Sequence, residues 1–178
     1  GSQSEVKNYL LNRGINEETI KTFQIGFAPK GWDNLSTFFK KNLDPELQKV
    51  DAGLFKISEK NNKIYDVFRN RIIFPIKSHR DQIIGFGGRV IDPTDNPKYL
   101  NSSDSDIFKK GRELYGLSEI LKNKKRINRI VVVEGYTDVL SLFSNDMNYA
   151  VATLGIATSK VHIDLSLIHI SEPTRQDR

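Results

Sequence analysis

Apolar positions recur at helical spacing from Val6 to about residue 46, alternate as in strands beyond Gly53, and return to mixed helix and strand patterns from Ile130. Val6, Tyr9 and Leu10 share one face of a helix that Gly14 is placed to stop. A second helix follows: Asn16 can cap it, Glu17 and Glu18 suit its positive end, and Ile20 and Phe23 turn inward. Gly26-Phe27-Ala28-Pro29 breaks the helical pattern before Trp32-Asp33-Asn34, which can cap a third helix carrying Leu35, Phe38 and Phe39. Asp44-Pro45-Glu46 predicts a short fourth helix. Arg71 to Ile76 and Gln82 to Val90 flank the polar turn Ser78-His79-Arg80-Asp81 and predict a hairpin, with Pro75 at an edge or bulge. Within it, Gly85-Phe86-Gly87-Gly88 lies in a strand pattern, so a bulge or a close backbone approach explains it better than a phosphate-cradling loop. Asp92 to Lys110 reads as polar and irregular, and a short helix is expected through Leu121.

The charged run Lys122 to Arg129 is the expected boundary between two units. Beyond it, Ile130 to Val133 has the β-branched run of a strand buried on both faces, Val139, Leu140, Leu142 and Phe143 make a helical stripe, and Tyr149 to Gly155 reads as the next strand. This is a βαβ unit. Ligands of open parallel sheets gather outside the carboxyl ends of strands, where Glu134 sits. Gly135 removes the neighbouring side chain, and Asp138, one turn on, can lie on the same rim. Two carboxylates there could hold a hard divalent cation such as Mg²⁺, directly or through water. They could equally just complement the dipole of the helix they precede.

Composition changes the picture little. The 178 residues are 38% hydrophobic and 28% charged, with ten Phe and six Tyr, so an aromatic-rich globular interior is expected. The absence of cysteine removes disulfides, thiolate metal sites and cysteine nucleophiles, and fits a reducing compartment, the cytoplasm. No apolar run reaches the roughly 18 residues of a membrane span, so no membrane partner is expected. Opening on Gly1-Ser2 without an initiator Met, the chain reads as a fragment with residues missing upstream. A net charge of +5 suits an acidic partner such as nucleic acid, and equally a solvated basic surface. Arg69, Arg71, Phe74, Arg89, Lys98, Tyr99, Lys109, Lys110 and Arg112 interleave cations with rings, as a single-strand track would. The competing reading makes the phenylalanines core and the cations a solvated face.

Taken in order, several motifs resemble the catalytic core of bacterial replicative DNA primases of the DnaG type. They are Ile25 to Pro29, Trp32-Asp33-Asn34, Asp51 to Leu54, Phe68 to Ile76, Ile84 to Val90, Pro97 to Ser102, Lys110-Gly111, Leu114 to Leu117, Val132 to Val139 and Ala150 to Gly155. Each is weak alone, and their succession from about Tyr9 to about Leu165 is specific.

The resemblance implies an α/β chain: an α+β primase subdomain over 1–125 that binds template, then the first βαβ part of a TOPRIM domain over 126–165. It implies synthesis of short RNA primers on single-stranded DNA from ribonucleoside triphosphates, with two Mg²⁺ or Mn²⁺ ions. Glu134 falls at the catalytic glutamate position, with Gly135 and Asp138 completing the motif. Arg13, Trp32, Arg69, Arg71, Lys98, Tyr99, Asn101 and Lys110 match the template groove. The family's zinc-binding domain and its helicase-binding C-terminal domain have no counterpart here. Neither does the aspartate-rich metal motif expected after another strand: residues 166–178 match nothing in the family and are expected to be a read-through or assembly artefact. The resemblance therefore predicts an active parent and an inactive fragment, and the truncated sheet, with its apolar faces uncovered, a second unit that is loosely ordered or aggregation-prone. Two other function classes compete: a single-stranded DNA platform without catalysis, and a TOPRIM nuclease or topoisomerase-like protein. The primase-type first half argues against the last, since nothing there supplies a topoisomerase tyrosine motif.

Overall fold

The protein is described from a computed structural model, in which residues 3–42, 53–92, 94–123 and 129–155 are described. The expected helix at Asp44 and the tail 166–178 lie outside these residues, as does most of the charged run before Ile130. The first two helices form where the pattern puts them, α1 at Gln3–Leu11 and α2 at Glu17–Thr22. Val6 and Leu10 are buried, Gly14 takes a left-handed conformation, and the Asn16 side chain accepts from the Thr19 amide at 2.8 Å. Residues 26–29 do more than interrupt this pattern. Gly26–Ala28 is strand β1, which pairs antiparallel with β4 (Arg71–Lys77); its three residues are too few to show a strand period.

Helix α3 (Asn34–Asn42) is capped from a distance. Asp66, at the end of the hairpin β2 (Phe55–Ile57) and β3 (Ile64–Asp66), accepts from the Leu35 and Ser36 amides at 2.7 and 3.0 Å. The carboxylate satisfies amides that a helix start leaves orphaned.

The predicted hairpin of β4 with β5 (Ile83–Val90) is the centre of a four-stranded antiparallel sheet, ordered β1-β4-β5-β6. Pro75 faces Phe86, whose own N–H and C=O are engaged on the β6 side by Ser102. The proline nitrogen therefore points the other way, past the end of β1, where a missing donor costs nothing. Ile76 pairs with Gly85 and Lys77 with Ile83, so Ile84 is an extra residue and a bulge. Tyr99–Asn101 forms β6 inside the segment read as irregular. Its short run carries no period, and its partner is Gly87 to Arg89.

The βαβ unit is present as β7 (Val131–Val133), α5 (Tyr136–Ser144) and β8 (Ala150–Ala152), with the strands parallel. One expectation is corrected here. Val131 and Val132 are 39% and 43% exposed, whereas all three residues of β8 are fully buried. The reason is position in the sheet. β8 has β7 on one side and on the other Tyr115, which exchanges two backbone hydrogen bonds with Ala152; β7 has only β8 among the described residues. Helix α4 (Leu117–Lys122) starts just beyond Tyr115 and packs on β8, so the chain ahead of the charged run is already tied into the second unit.

The two ends of the described chain also meet. The Asn16 amide donates to Ser144 Oγ at 3.0 Å, and that hydroxyl donates to Thr19 Oγ1 at 2.9 Å. Between them lies an aromatic core of Phe23, Phe74, Tyr115 and Tyr136. Phe74 and Tyr136 stack at 5.0 Å, and Tyr115 meets Tyr136 edge-on at 4.7 Å. Such pairs contribute about 0.5 to 1.5 kcal/mol each beyond area burial.

A buried ion pair joins the hairpin to α4: Lys77 Nζ lies 2.9 Å from Glu119 Oε1, both side chains 5% exposed. Asp81, in the hairpin turn, meets Lys122 at 2.5 Å, and that partner, together with a hydrogen bond from Ser118, holds its carboxyl below the ordinary range. Removing one member of the buried pair strands the other. Glu119→Ala is expected to cost about 3 to 5 kcal/mol in urea denaturation, while Lys77→Met with Glu119→Leu costs far less. Equal losses in the two variants would show that the ion pair is not what matters at this contact.

Candidate functional site

Glu134 directly follows β7 and is exposed, and Asp138 is exposed in the first turn of α5. Gly135 caps that helix in an extended conformation without any side-chain capping bond. A Cβ at Gly135 would stand 3.2 Å from Asp138 Oδ2, so the glycine leaves room beside the carboxylate. Among the described residues neither carboxylate is held by an ion pair or a side-chain hydrogen bond. Exposed oxygen donors on a short rim fit part of the shell of a hard divalent cation, with water and phosphate oxygens filling the rest. No group of three His, Asp or Glu that could hold a metal occurs among the described residues.

The residues between the two acids are buried and anchor them. The Tyr136 hydroxyl donates to Asn101 Oδ1 at 2.6 Å, and Asn101 Nδ2 donates to the Leu154 carbonyl at 3.0 Å. Burial pushes the Tyr136 phenol well above its ordinary pKa, so it stays a donor. Its ring lies over Gly87, where a Cβ would come within 2.6 Å of it. Arg89 Nη1 donates to Thr137 Oγ1 at 3.4 Å. Together these contacts fix the acidic loop on β5 and β6.

The sequence-predicted cations fall into two groups, one on each face of the four-stranded sheet, since Arg71 pairs with Val90 while Arg89 pairs with Ile72. In one, Arg13 lies over the Tyr9 ring at 5.0 Å, Arg89 lies 5.3 Å from Tyr9 and 5.2 Å from Tyr99, and Lys98 is 5.9 Å from Tyr99. Arg89 is buried, while Arg13, Lys98 and Tyr99 are exposed. In the other, Arg69 stacks at 4.3 Å on Trp32, itself 66% exposed, and lies 5.5 Å from Tyr65. Arg71 is buried and donates to the Pro97 carbonyl at 2.7 Å. Burial lowers its pKa somewhat and Asp95 opposes this, so a guanidinium remains charged. Lys30, Trp32, Arg69, Arg71, Asp95 and Pro97 line a cavity of about 490 Å³.

Two predicted residues stand outside these groups. Asn101 is committed to the Tyr136 and Leu154 bonds, and Lys110 sits in the 3₁₀ turn Lys110–Arg112, its amide on Asp104. Sequence reasoning missed Tyr9, Tyr65, Tyr136 and Thr137. Tyr9 reads as a core position by its helical face, and the signal for the last two was their place between the motif's acids.

The anchoring can be measured. Tyr136→Phe leaves Asn101 Oδ1 without its donor and is expected to cost about 1 to 3 kcal/mol. Gly87→Ala, which must displace the ring from its stack on Phe74, is expected to cost at least as much by urea denaturation. Wild-type stability in Gly87→Ala would contradict this packing.

Residues 1–121 match the family described as DNA primase catalytic core, N-terminal domain. The chain is 48% identical over 159 residues to a DNA primase of Salmonella typhimurium, covering 89% of this chain and 27% of that protein. It is 47% identical over 162 residues to the DNA primase of Escherichia coli K12, covering 91% and 28%. The chain thus spans about a quarter of the length of the curated relatives it matches. Among solved structures, the E. coli primase catalytic core superposes with a TM-score of 0.85 at 46% identity, over 93% of this chain and 52% of that one. A DnaG primase catalytic domain bound to single-stranded DNA gives 0.82 at 46% identity, with 93% and 53% covered. The RNA polymerase domain of Mycobacterium tuberculosis primase, with a double-stranded DNA oligomer carrying a 6-nucleotide overhang, gives 0.80 at 29% identity, with 93% and 52% covered. By sequence and by fold the chain belongs to the DNA primase catalytic core family, whose N-terminal domain it carries.

Proposed function

We propose that the chain is the template-binding part, with the start of the catalytic domain, of an enzyme that makes short RNA primers on single-stranded DNA for replication. The substrates would be ribonucleoside triphosphates and the reaction a nucleotidyl transfer with loss of pyrophosphate. The observation that carries this reading is the anchoring of the Glu134 and Asp138 loop, through Tyr136 to Asn101 and Thr137 to Arg89, on the sheet that bears the cation-aromatic groove.

The proposed division is a template-binding subdomain over 1–125, a TOPRIM domain beginning at 126, and a tail from 166 foreign to the family. Glu134 and Asp138 would hold Mg²⁺ or Mn²⁺. Such an ion neutralises phosphate charge and lowers the pKa of an attacking hydroxyl. The chain's own residues divide the remaining work. Trp32 and Tyr99 offer exposed ring faces for bases; Arg13 and Lys98 supply exposed cations for phosphates and Lys110 a half-buried one. Arg69 is pre-oriented by its stack on Trp32, buried Arg71 brings positive charge to the floor of the same cavity, and buried Arg89 does so on the opposite face of the sheet, beside Tyr9 and Tyr99. Helicase contact and zinc binding would belong to other parts of the parent protein, working with a replisome in the cytoplasm.

A second reading, single-stranded DNA binding without catalysis, draws support from the two-carboxylate rim, which lacks a third acid among the described residues. It applies to this chain rather than to its parent. The purified chain is expected to bind single-stranded DNA with log affinity falling as log salt rises, and to make no primer with Mg²⁺ and triphosphates. Glu134→Gln should leave that binding within about twofold and, in the full-length parent, lower priming by about 100-fold or more. Undiminished priming by that variant would remove Glu134 from the chemistry, and primer synthesis by the 178-residue chain would show that two carboxylates suffice.

A further inference from the structure

The hairpin of β2 and β3 meets the groove through Tyr65, and the rest of its surface has the same chemistry. Ile57 and Ile64 are cross-strand partners, 67% and 41% exposed, and they share a shallow trough of about 850 Å³ with Trp32 and Tyr65. Lys56, Lys60 and Lys63 line the same trough, with Lys56 on the Tyr65 face of the hairpin and the isoleucines on the other. All three are exposed, and none has an acidic partner among the described residues. Two acids, Asp33 and Glu59, also line the trough, so the lysines exceed them by one.

The hairpin is also fixed relative to the groove. The Asp66 amide donates to the Trp32 carbonyl at 2.8 Å, the Val67 amide donates to the Leu54 carbonyl at 2.8 Å, and the Trp32 ring meets Tyr65 edge-on at 5.8 Å. Trp32 therefore belongs to both walls: it lines the groove cavity beside Arg69 and Arg71, and it lines the trough beside Lys56 and Ile64. A trough that carries exposed cations beside Tyr65 and continues a stacking ring suits a strand whose bases need faces and whose phosphates need charge.

We propose that single-stranded DNA leaving the groove at Trp32 continues along the β2–β3 hairpin, with Lys56, Lys60 and Lys63 on its phosphates and Tyr65 under its bases. This inference rests on reading the groove as a template track. It makes the site longer than the groove alone.

Fluorescence anisotropy of labelled oligo-dT of about 6 and about 16 nucleotides, within the usual range of single-strand sites, separates the two claims. Lys60→Gln with Lys63→Gln is expected to weaken the long oligomer by about fivefold and lower its log-log salt slope by about 1.4, at roughly 0.7 per phosphate contact. The short oligomer, held by the groove, should bind as before. Lys98→Gln should weaken both. Unchanged long-oligomer affinity in the hairpin variant overturns the extension and leaves the apolar pair to a protein partner. Equal weakening at both lengths also overturns it, because the lysines would then act through net charge. Unchanged binding of both oligomers in Lys98→Gln overturns the groove reading itself.

Discussion

The contact on which most of the molecule depends is a tyrosine ring laid on a glycine. Tyr136 stacks on Phe74, meets Tyr115 edge-on, and lies so close to Gly87 that no side chain could stand there. The ring belongs to α5 and the glycine to β5, so the contact joins the parallel sheet to the antiparallel one. Its hydroxyl then uses its one proton on Asn101 of β6, as a buried phenol must if it is not to cost stability. Three consequences follow from one side chain: the two units share a core, β6 is held at the sheet edge, and the loop that carries the acids on either side of Tyr136 and Thr137 is fixed to β5 and β6.

The electrostatics follow from the same economy of partners. Most of these cations are held by groups other than acids. Arg89 lies between two tyrosine rings and a threonine hydroxyl, Arg69 on an indole, and Arg71 on a carbonyl, with Asp95 the acid that acts on it. Such contacts orient a guanidinium while leaving its charge uncancelled, so the field stays available to a polyanion. Lys77 is different. It lies away from the groove, meets Glu119 in the interior, and contributes fastening rather than field.

What could be read in the sequence was whatever repeats over several residues or has local punctuation. The α1 and α2 faces, the Asn16 cap, the β4–β5 hairpin and the βαβ unit all have one or the other. So does the run of glycines in β5, where both anticipated explanations occur: a bulge at Ile84 and close approaches by Phe108, Tyr136 and Phe68. Illegible features are short or long-range. Strands of three residues, such as β1 and β6, carry no period. Asp66 caps a helix that begins some thirty residues earlier, and no local rule links the two. At the site, acids and cations were legible as residue types. Which cations are buried was not, because burial of Arg71 and Arg89 follows from strands folding over them. The exposure of β7 was misread for a related reason: a β-branched run reports preference for a buried sheet, and the described neighbours cover β8 instead.

The bond from Asn16 to Ser144 spans 128 positions of sequence, and it seats α2 against α5. During synthesis the first helices therefore emerge long before their seat exists. Phe23, wholly buried in the finished core against Tyr115 and Phe143, has to wait in a partly folded chain until α5 leaves the ribosome. Closing so long a loop is paid for only when the last pieces dock, which makes this a topology that folds late and all at once rather than from its N-terminus forward.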